Sequence, residues 1–368
     1  MKLGILDQAT EGWRAGRVYT ETFLRSLLLA GARPENLEIL SKEKNPYPEL
    51  GITSRLLPDR PLALRWALFG WRNDFDMILP VRDRMAEKIQ ASMLGWIPDF
   101  QHLALPGHFS KKELLQRDRT FETLLRKCRR VLVSSQAVQK EGVAHFPGQR
   151  HKFAVASFAS GLWAREMPSA PGESPANFSI PSPYYLVVNQ FWSHKNHALV
   201  VEALGRIRAR GETPPWVVLA GAPADFRDPE NQGVGNLFRR IAVLGLHEHI
   251  RYVGTPTAEE LLDLLRNCRA VIQPSLHEGW STTLEDAKAL GKPAFCSDLP
   301  VHREQMGSQA LYFQPHDAEG LAELLLREPW PAMPAWNAEA ERLGLVQAKE
   351  QARVFGSTIL ELCLTPES

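Results

Sequence analysis

The second half of the chain alternates short apolar segments with longer segments of helical periodicity. From residue 184 onward, the segments YYLVVNQ, WVVLAG, IRYVG, AVIQPS and PAFCS have the length of strands. These segments are apolar at successive positions, so both faces of each strand must be covered. Strands of this kind occur in parallel sheets with helices on both sides. The pattern predicts a doubly wound α/β domain.

A less regular version of the same alternation occurs in the first half. MKLGILDQ, MILPV and RVLVSS resemble strands, while ETFLRSLLLAG, ending at Gly31, and SKKELLQRDRTFETLLRKC resemble helices. A chain of 368 residues exceeds the usual size of one domain. We therefore predict an α/β protein with two Rossmann-like domains.

Residues 166–183, EMPSAPGESPANFSIPSP, form a long non-periodic stretch rich in Pro and Ser. We interpret this stretch as a linker between an N-terminal domain (1–165) and a C-terminal domain (184–345). The last helical pattern covers about residues 337–364. Its length is sufficient for residues 346–368 to return to the N-terminal domain.

The composition predicts a cytoplasmic protein. The four cysteines, Cys128, Cys268, Cys296 and Cys363, are far apart in sequence and are interpreted as buried thiols. The sequence contains no run of eighteen apolar residues, and its N-terminus is too short and polar for a signal peptide.

Charge is distributed unevenly along the chain. Residues 1–165 carry 26 Lys and Arg against 17 Asp and Glu, whereas the remainder carries 17 against 25. The basic N-terminal half predicts contact with an anionic partner, either an acidic acceptor or the lipid of the inner membrane. The alternative is that its exposed helices are simply basic. Nothing in the pattern indicates nucleic-acid binding.

The segment SLHEGWSTTLED, residues 275–286, joins an apolar strand to a predicted helix. The N-terminus of a helix binds anions through unpaired N–H groups and its dipole, and Gly279 allows close approach of the backbone. Acidic side chains such as Glu278 and Asp286 accept hydrogen bonds from sugar hydroxyls. These features together suit a nucleotide-sugar. The alternative is an ordinary helix capped by Ser281.

The segment HEGWSTTLEDAKALGKP resembles the acid-x7-acid signature of the retaining GT-B glycosyltransferases of family GT4, in which Glu-Gly-Phe-Gly-x-x-x-x-Glu-Ala is usual. The resemblance covers about residues 184–328 well and the first half weakly. It implies two Rossmann-like domains facing across a cleft, and a glycosyltransferase whose donor is a nucleotide-sugar.

The resemblance also implies residue roles. Glu278 would bind hydroxyls of the transferred sugar, and Asp286 would bind the ribose, with neighbouring Glu285 as the other candidate. Asp286 is one methylene shorter than the usual Glu. The residues implied to line the sugar and phosphates are Gly279, Trp280, Ser281, Thr282 and Thr283.

A second loop, NQFWSHKNH, follows a predicted strand and opens a helix. In the family this loop carries an Arg and a Lys that bind the diphosphate. Lys195 matches the Lys, and Gln190 replaces the Arg, with Asn189 beside it. We expect Lys195 to carry the charge, with His194 or Asn196 assisting; the alternative is a solvent-exposed lysine. His197 is predicted to lie on the helix surface.

Two further strand ends are implied to border the nucleotide. They lie at Gly221, in VLAGAP, and at Tyr252 and Val253, whose backbone would receive the base. Ordinary strand-to-loop turns are the alternative interpretation, because glycine is common in such turns.

The first domain contributes weaker candidates. In EGWRAGRVYTETF, Gly16 is predicted to approach a donor phosphate or the acceptor, although an ordinary turn would have the same sequence. GWIPDFQHLALP resembles the family's His-Asp-Leu-x-His stretch, with Asp99 and His102 matching and Pro98 replacing the first His. Asp99 and His102 would orient the acceptor or the sugar, or else have buried structural roles.

The combined prediction is a retaining, metal-independent transferase that uses a UDP- or GDP-sugar as co-substrate and has no cofactor. The acceptor would be a polysaccharide or a lipid-linked oligosaccharide. The alternative is a catalytically weak nucleotide-sugar-binding protein of the same fold, because Asp286, Gln190 and Pro98 all depart from the family pattern. No metal site is expected, since the Asp-x-Asp at Asp74 and Asp76 precedes a strand instead of following one.

Overall fold

A computed structural model of the chain describes residues 1–9, 14–58, 70, 71, 73–225, 227, 228, 230–327 and 336–365. The chain divides into two compact units. Unit 1 comprises Met1–Ala164 and Lys349–Ser368, and unit 2 comprises Arg165–Ala348.

The described part of unit 1 contains a seven-stranded parallel sheet in the order β3-β2-β1-β4-β5-β6-β7. Its strands are β1 (Leu3–Leu6), β2 (Leu37–Ser41), β3 (Thr53–Leu56), β4 (Met77–Val81), β5 (Met93–Trp96), β6 (Arg130–Val133) and β7 (Phe153–Val155). The accompanying helices are α1 (Arg14–Leu29), α2 (Gln101–Ala104), α3 (Lys111–Lys127) and α4 (Gln136–His145).

Local sequence explains the helix ends in unit 1. Helix α1 stops at Leu29 because Gly31 adopts φ +98°, a left-handed conformation that glycine tolerates. Helix α3 begins at a capping box, in which the Ser110 hydroxyl and the Glu113 carboxylate each accept a backbone N–H of the other residue. Strands β1, β2, β4 and β5 are buried at every position, as parallel strands covered by helices require.

The described part of unit 2 contains a six-stranded parallel sheet in the order β10-β9-β8-β11-β12-β13. Its strands are β8 (Tyr184–Val188), β9 (Trp216–Ala220), β10 (Ile250–Tyr252), β11 (Ala270–Gln273), β12 (Ala294–Ser297) and β13 (Ala310–Phe313). Its helices are α5 (Ser174–Asn177), α6 (His197–Ala209), α7 (Gln232–Val243), α8 (Ala258–Asn267), α9 (Thr282–Ala289), α10 (Pro300–Met306) and α11 (Ala318–Leu326).

A final helix, α12 (Ala338–Leu364), runs from unit 2 into unit 1 at the boundary between residues 348 and 349. In unit 1 the Gln351 amide donates to Phe158 O at 2.9 Å, and Arg129 donates to Cys363 O at 3.3 Å. None of the helices in the described ranges is long and apolar enough to cross a membrane.

The strand order of unit 2 locates its binding edge. Strand β8 lies beside both β9 and β11, so successive connections run outward in opposite directions from the β8–β11 pair. In doubly wound sheets such a switch point opens a crevice at the carboxyl ends of the strands, and ligands bind there. The loops that follow β8 and β11 contain most of the candidate residues.

Candidate functional site

Lys195 reaches the switch point from the loop after β8. It ends a 3₁₀ turn, Ser193–Lys195, and Asn196 follows in a left-handed conformation with φ +56°. The Asn196 amide donates to Pro274 O at 3.1 Å and to Pro315 O at 2.9 Å. Because Pro274 follows β11, these bonds tie the two loops of the crevice together and fix the direction of the neighbouring lysine.

Three donors converge on one oxygen of Glu278. Lys195 Nζ lies 2.6 Å from Glu278 Oε1, Ser275 Oγ lies 2.7 Å from it and Gln273 Nε2 lies 2.9 Å from it. No hydrogen bond from the described residues reaches the other oxygen, Oε2. The carboxylate is therefore fixed through Oε1 while Oε2 can still accept a hydrogen bond.

The electrostatic balance keeps Glu278 ionised. Burial by itself would raise the pKa of the carboxyl, but the charge of Lys195, the nearby His194, and the hydrogen bonds from Lys195 and Ser275 lower it. The net effect lowers the pKa of Glu278 to about 2. The side chains of Lys195 and Glu278 are only 16% and 9% exposed, so water screens the pair weakly.

A chain of hydrogen bonds from Ser297 and His302 holds the backbone of Ser275 in place. Ser297 Oγ donates to Ser275 O at 2.5 Å, and His302 Nδ1 lies 2.8 Å from Ser297 O. Because that carbonyl can only accept, His302 carries its proton on Nδ1. Its Nε2 has no partner among the described residues, and burial lowers the pKa of His302. Burial therefore favours the neutral imidazole.

The N-terminus of α9 supplies backbone donors beside this carboxylate. Ser281 is the N-cap, and its hydroxyl accepts from Leu284 N at 3.3 Å. The N–H groups of Thr282 and Thr283 have no hydrogen-bond acceptor in the described part of the chain, whereas the Thr283 hydroxyl donates to Val188 O at 2.9 Å. Two N–H groups at the positive end of the helix dipole are therefore open to an anion.

The two acidic residues of α9 have different surroundings. Glu285 is buried, and its Oε1 accepts from Gln305 Nε2 at 2.8 Å and from Lys288 Nζ at 3.1 Å. Asp286, the next residue, is half-buried. Glu285 therefore lies in the interior of unit 2, and Asp286 is the more accessible acid. Trp280 is also half-buried, whereas Gly279 is buried.

The ends of β8, β9 and β10 lie close together beside the switch point. A Cβ at Gly221, whose φ is +150°, would overlap the Asn189 carbonyl oxygen, so only glycine fits there. The Tyr252 hydroxyl donates to Gly221 O at 3.1 Å, and Val253 N donates to Leu219 O at 3.0 Å.

The two residues that follow β8 differ in exposure. Asn189 is buried, and its side-chain amide donates to Gln273 Oε1 at 3.3 Å. Gln190 is half-buried.

The prediction for His197 is wrong. His197 is buried instead of lying on the helix surface, and its ring stacks on Phe191 with centroids 4.3 Å apart and an interplanar angle of 7°. Burial, followed by the charge of Lys195, lowers its pKa to about 4. Helical periodicity could not show this contact, because Phe191 lies in the loop before the helix.

Asp99 and His102 belong to unit 1 and join a different network. Asp99 Oδ1 accepts from Arg117 Nη2 at 2.8 Å and from Gln101 N at 2.9 Å. The His102 ring is fully buried, and its Nε2 lies 3.0 Å from Asp118 Oδ1. Burial lowers the pKa of His102, and the bond to Asp118 offsets part of this effect. Both residues hold α2 against α3.

Gly16 and the Asp-x-Asp pair also lie in unit 1. Gly16 is in the first turn of α1, where its carbonyl accepts from the Thr20 hydroxyl at 3.1 Å, and the preceding residues 10–13 lie outside the described residues. Asp74 pairs with Arg55 at 2.5 Å, and Asp76 accepts from Lys2 N at 2.6 Å. Each of these acids has a basic or backbone partner.

Sequence reasoning missed the residues that hold Glu278 and Ser281. Gln273 and Ser275 carried a signal, because polar side chains within or next to a strand buried on both faces must find buried partners. Ser297, His302 and Gln305 carried none. Their contacts with the loop after β11 depend on how α10 and the end of β12 pack against it.

Parts of the chain are similar in sequence to known proteins. Residues 175–327 match the family model of the glycosyl transferases group 1. The chain is 30% identical over 101 residues to the O-antigen chain mannosyltransferase B of Escherichia coli, covering 27% of this chain and 26% of that protein. It is 28% identical over 135 residues to the O-antigen chain mannosyltransferase RfbU of Salmonella typhimurium, covering 36% and 35% respectively. Each match thus spans about a quarter to a third of the curated relative.

The fold is similar over nearly the whole chain. The structure of Anabaena Alr3699/HepE in complex with UDP-glucose matches with a TM-score of 0.71 and 16% identity, covering 96% of this chain and 98% of that one. Identity this low shows the fold alone, and it confirms the predicted class of two Rossmann-like α/β domains. Residues 175–327 are thus similar to the glycosyl transferases group 1, and the similarity of fold extends over nearly the whole chain.

Proposed function

We propose that the chain is a glycosyltransferase that moves a sugar from a nucleotide-sugar donor to a glycan acceptor. The observation that carries this proposal is the arrangement at the β8–β11 switch point. Glu278 offers an open carboxylate oxygen beside Lys195, and the N–H groups of Thr282 and Thr283 lie at the start of the adjacent helix. A sugar hydroxyl suits the carboxylate, and a diphosphate suits the lysine and the helix N-terminus.

The same groups suit the chemistry of transfer. When the bond between the sugar C1 and the diphosphate breaks, negative charge accumulates on the departing phosphate. A fixed cation and a helix N-terminus stabilise that charge most in the transition state. Lys195 and the first turn of α9 supply both, so we propose that transfer requires no divalent metal. Gln190, which replaces the family's Arg, leaves Lys195 as the cation of this loop.

The finer assignments are also proposals. Asp286, the more accessible acid of α9, would bind the ribose, and the backbone at Tyr252 and Val253 would receive the base. The family implies retention of the anomeric configuration. The donor would be a UDP- or GDP-sugar: a related fold binds UDP-glucose, and the curated relatives are named as mannosyltransferases.

The acceptor would be a polysaccharide or a lipid-linked oligosaccharide. The two relatives are named as O-antigen chain mannosyltransferases, which favours this class of acceptor. The excess of Lys and Arg in residues 1–165 suits an acidic acceptor, or contact with anionic lipid at the inner face of a membrane. Asp99 and His102, which are held within unit 1, would orient the acceptor or the transferred sugar.

The first experiment is a donor panel. Purified protein is incubated with UDP-, GDP-, dTDP- and ADP-sugars, with a lipid-linked glycan extract and with EDTA, and release of the nucleoside diphosphate is measured. We expect release from one class of donor, dependent on the extract and unchanged by EDTA. Release abolished by EDTA and restored by Mg²⁺ would contradict the metal-independent mechanism.

A catalytically weak nucleotide-sugar-binding protein is the second candidate. The replacement of the family's residues at Gln190, Asp286 and Pro98 favours it. A thermal shift with one nucleotide, with no diphosphate release from any donor, would support this alternative. The absence of both shift and release would contradict both candidates.

A further inference from the structure

We propose that Gln305 is a positioning residue that fixes the N-terminus of α9 in the orientation that binds the donor diphosphate. The inference rests on the proposed function of this site. It concerns a side chain that touches neither donor nor acceptor in the proposed mechanism and acts only through Ser281 and Glu285.

The Gln305 amide makes three contacts with the start of α9. Gln305 lies on α10 and is only 4% exposed. Its Oε1 accepts from Ser281 N at 3.2 Å, and its Nε2 donates to Ser281 O at 2.7 Å and to Glu285 Oε1 at 2.8 Å. One side chain thus binds both backbone groups of the N-cap residue and a carboxylate in the following turn.

These contacts determine where the first turn of α9 begins. The Ser281 hydroxyl accepts from Leu284 N, and the Ser281 carbonyl accepts from Glu285 N at 3.1 Å. Fixing Ser281 therefore fixes the intervening N–H groups of Thr282 and Thr283, which are the donors proposed for the diphosphate. Because Ser281 N–H is already bound to Gln305, it is not available to a ligand.

Gln305 also binds a negative charge near the proposed anion site. The buried Glu285 carboxylate, one turn into α9, is bound by Gln305 and by Lys288. A carboxylate that lost one of these donors would be under-satisfied and free to turn toward a new partner. Its charge would then oppose an incoming diphosphate. The amide therefore orients the donors and keeps the nearby acid in place.

The test compares ligands that contain a diphosphate with a ligand that does not. Gln305→Met keeps a side chain of similar length but removes all three hydrogen bonds. We expect the Kd for inorganic pyrophosphate, and for the nucleoside diphosphate that binds the wild type, to rise about ten-fold, as for the loss of buried hydrogen bonds. The Kd for the matching nucleoside should rise by much less. Calorimetric titration of the full chain measures all three.

Two further variants complete the test. Glu304→Ala changes an exposed neighbour on the same helix and should leave every Kd unchanged. Gln305→Asn keeps the amide but is one methylene too short to bridge Ser281 and Glu285, so we expect an intermediate loss. If Gln305→Met does not fold, the Asn variant provides the same comparison.

The outcomes separate this inference from the proposed function. Unchanged diphosphate affinity in the folded variants would overturn the role of Gln305, and so would an equal loss for nucleoside and diphosphate, which indicates general destabilisation. A wild type that binds neither nucleoside diphosphate nor pyrophosphate would overturn the proposed function itself, and the inference with it.

Discussion

At the scale of single residues, Lys195 and Glu278 form a charge pair that is poorly exposed to solvent. Each ion lost most of its hydration on folding, and the 2.6 Å contact between them and the hydrogen bonds from Gln273 and Ser275 to Glu278 offset part of that cost. Removing one partner therefore has two consequences. It leaves a buried charge without its partner, and it removes a group proposed to touch the donor.

Single and double substitutions separate these two consequences. We expect Lys195→Ala and Glu278→Ala each to lower turnover by about 100-fold, as for the loss of one electrostatic partner of a transition state. Each should also lower the free energy of unfolding by roughly 3 kcal/mol, because the remaining charge is buried and unpaired. Diphosphate release and chemical denaturation measure the two effects.

The double variant Lys195→Met with Glu278→Gln is the matched control. It removes both charges, so we expect most of the stability to return while turnover stays low. Full turnover in the double variant would contradict the assignment of these residues to the site.

The lowered pKa of Glu278 predicts a pH dependence of stability. The folded pKa, about 2, lies below the ordinary value of 4.5, so the ionised form is favoured in the folded state. The resulting stabilisation is complete above about pH 4.5 and is lost as the pH falls toward 2. We expect the wild type to be more stable than Glu278→Gln at pH 7, and the difference to shrink below pH 4.5. Thermal unfolding of both proteins between pH 7 and pH 3 measures this; a difference that grew on acidification would contradict it.

At the scale of elements, α8 and α9 begin with the same kind of cap but in different places. Thr257 caps α8 in a capping box with Glu260, at an exposed position. Ser281 caps α9 at the edge of the proposed donor site and is buried. The local hydrogen bond is equivalent in the two helices, since each hydroxyl accepts a backbone N–H three residues on. Only the second cap orients N–H groups that would bind a ligand.

This pair of caps allows a matched experiment. Thr257→Ala and Ser281→Ala should each cost about 1 kcal/mol of stability, the usual cost of losing a cap. We expect turnover to fall several-fold in Ser281→Ala and to stay near the wild-type value in Thr257→Ala. Equal turnover in the two variants would show that the start of α9 does not contribute to the reaction.

The positions of the helices could be predicted from the sequence, but the burial of individual side chains on them could not. Capping residues, Gly31 and the apolar periodicity predict where helices begin and end, because those signals act within one turn. His197 shows the limit of this reasoning. Its position at the start of α6 was predictable, but its stacking on Phe191 depends on the path of the loop before the helix.

At the scale of the whole molecule, unit 1 contains residues from two separate parts of the chain, Met1–Ala164 and Lys349–Ser368. Gly356 on α12 packs so closely on α1 that a Cβ there would overlap the Ser26 carbonyl oxygen. Phe355 and Ile359 on the same helix are buried in unit 1. The stability of this unit therefore depends on residues from both ends of the sequence.

We expect Gly356→Val to destabilise unit 1 by about 3 kcal/mol, because backbone atoms would have to move to admit the side chain. Val354→Ala, at a half-exposed position on the same helix, should change stability by less than about 0.5 kcal/mol. Calorimetry of the two variants provides the comparison. Equal stability would show that α12 does not pack on α1 as described.

Some features of the molecule were determined by the sequence alone. Strand segments that are apolar on both faces require cover on both sides, so a parallel sheet was predictable from the sequence pattern of residues 184–297. The acid-x7-acid segment and Lys195 carried the resemblance to a glycosyltransferase family, and residues 175–327 match the model of the glycosyl transferases group 1. The predicted domain boundaries at residues 165, 183 and 345 stay predictions. In the structure, the chain passes from unit 1 into unit 2 after residue 164 and returns to unit 1 after residue 348.

Other features were decided only by the tertiary structure. Lys195 pairs with Glu278, 83 positions further along the chain. Gln305 contacts Ser281 and Glu285, which are 24 and 20 positions before it, and so holds the Glu285 carboxylate in the interior. Local sequence does not distinguish Glu285 from Asp286, since both are acids in the first turns of α9. The packing of α10 against that helix distinguishes them, because burying a carboxylate is tolerable only where donors such as Gln305 and Lys288 meet it.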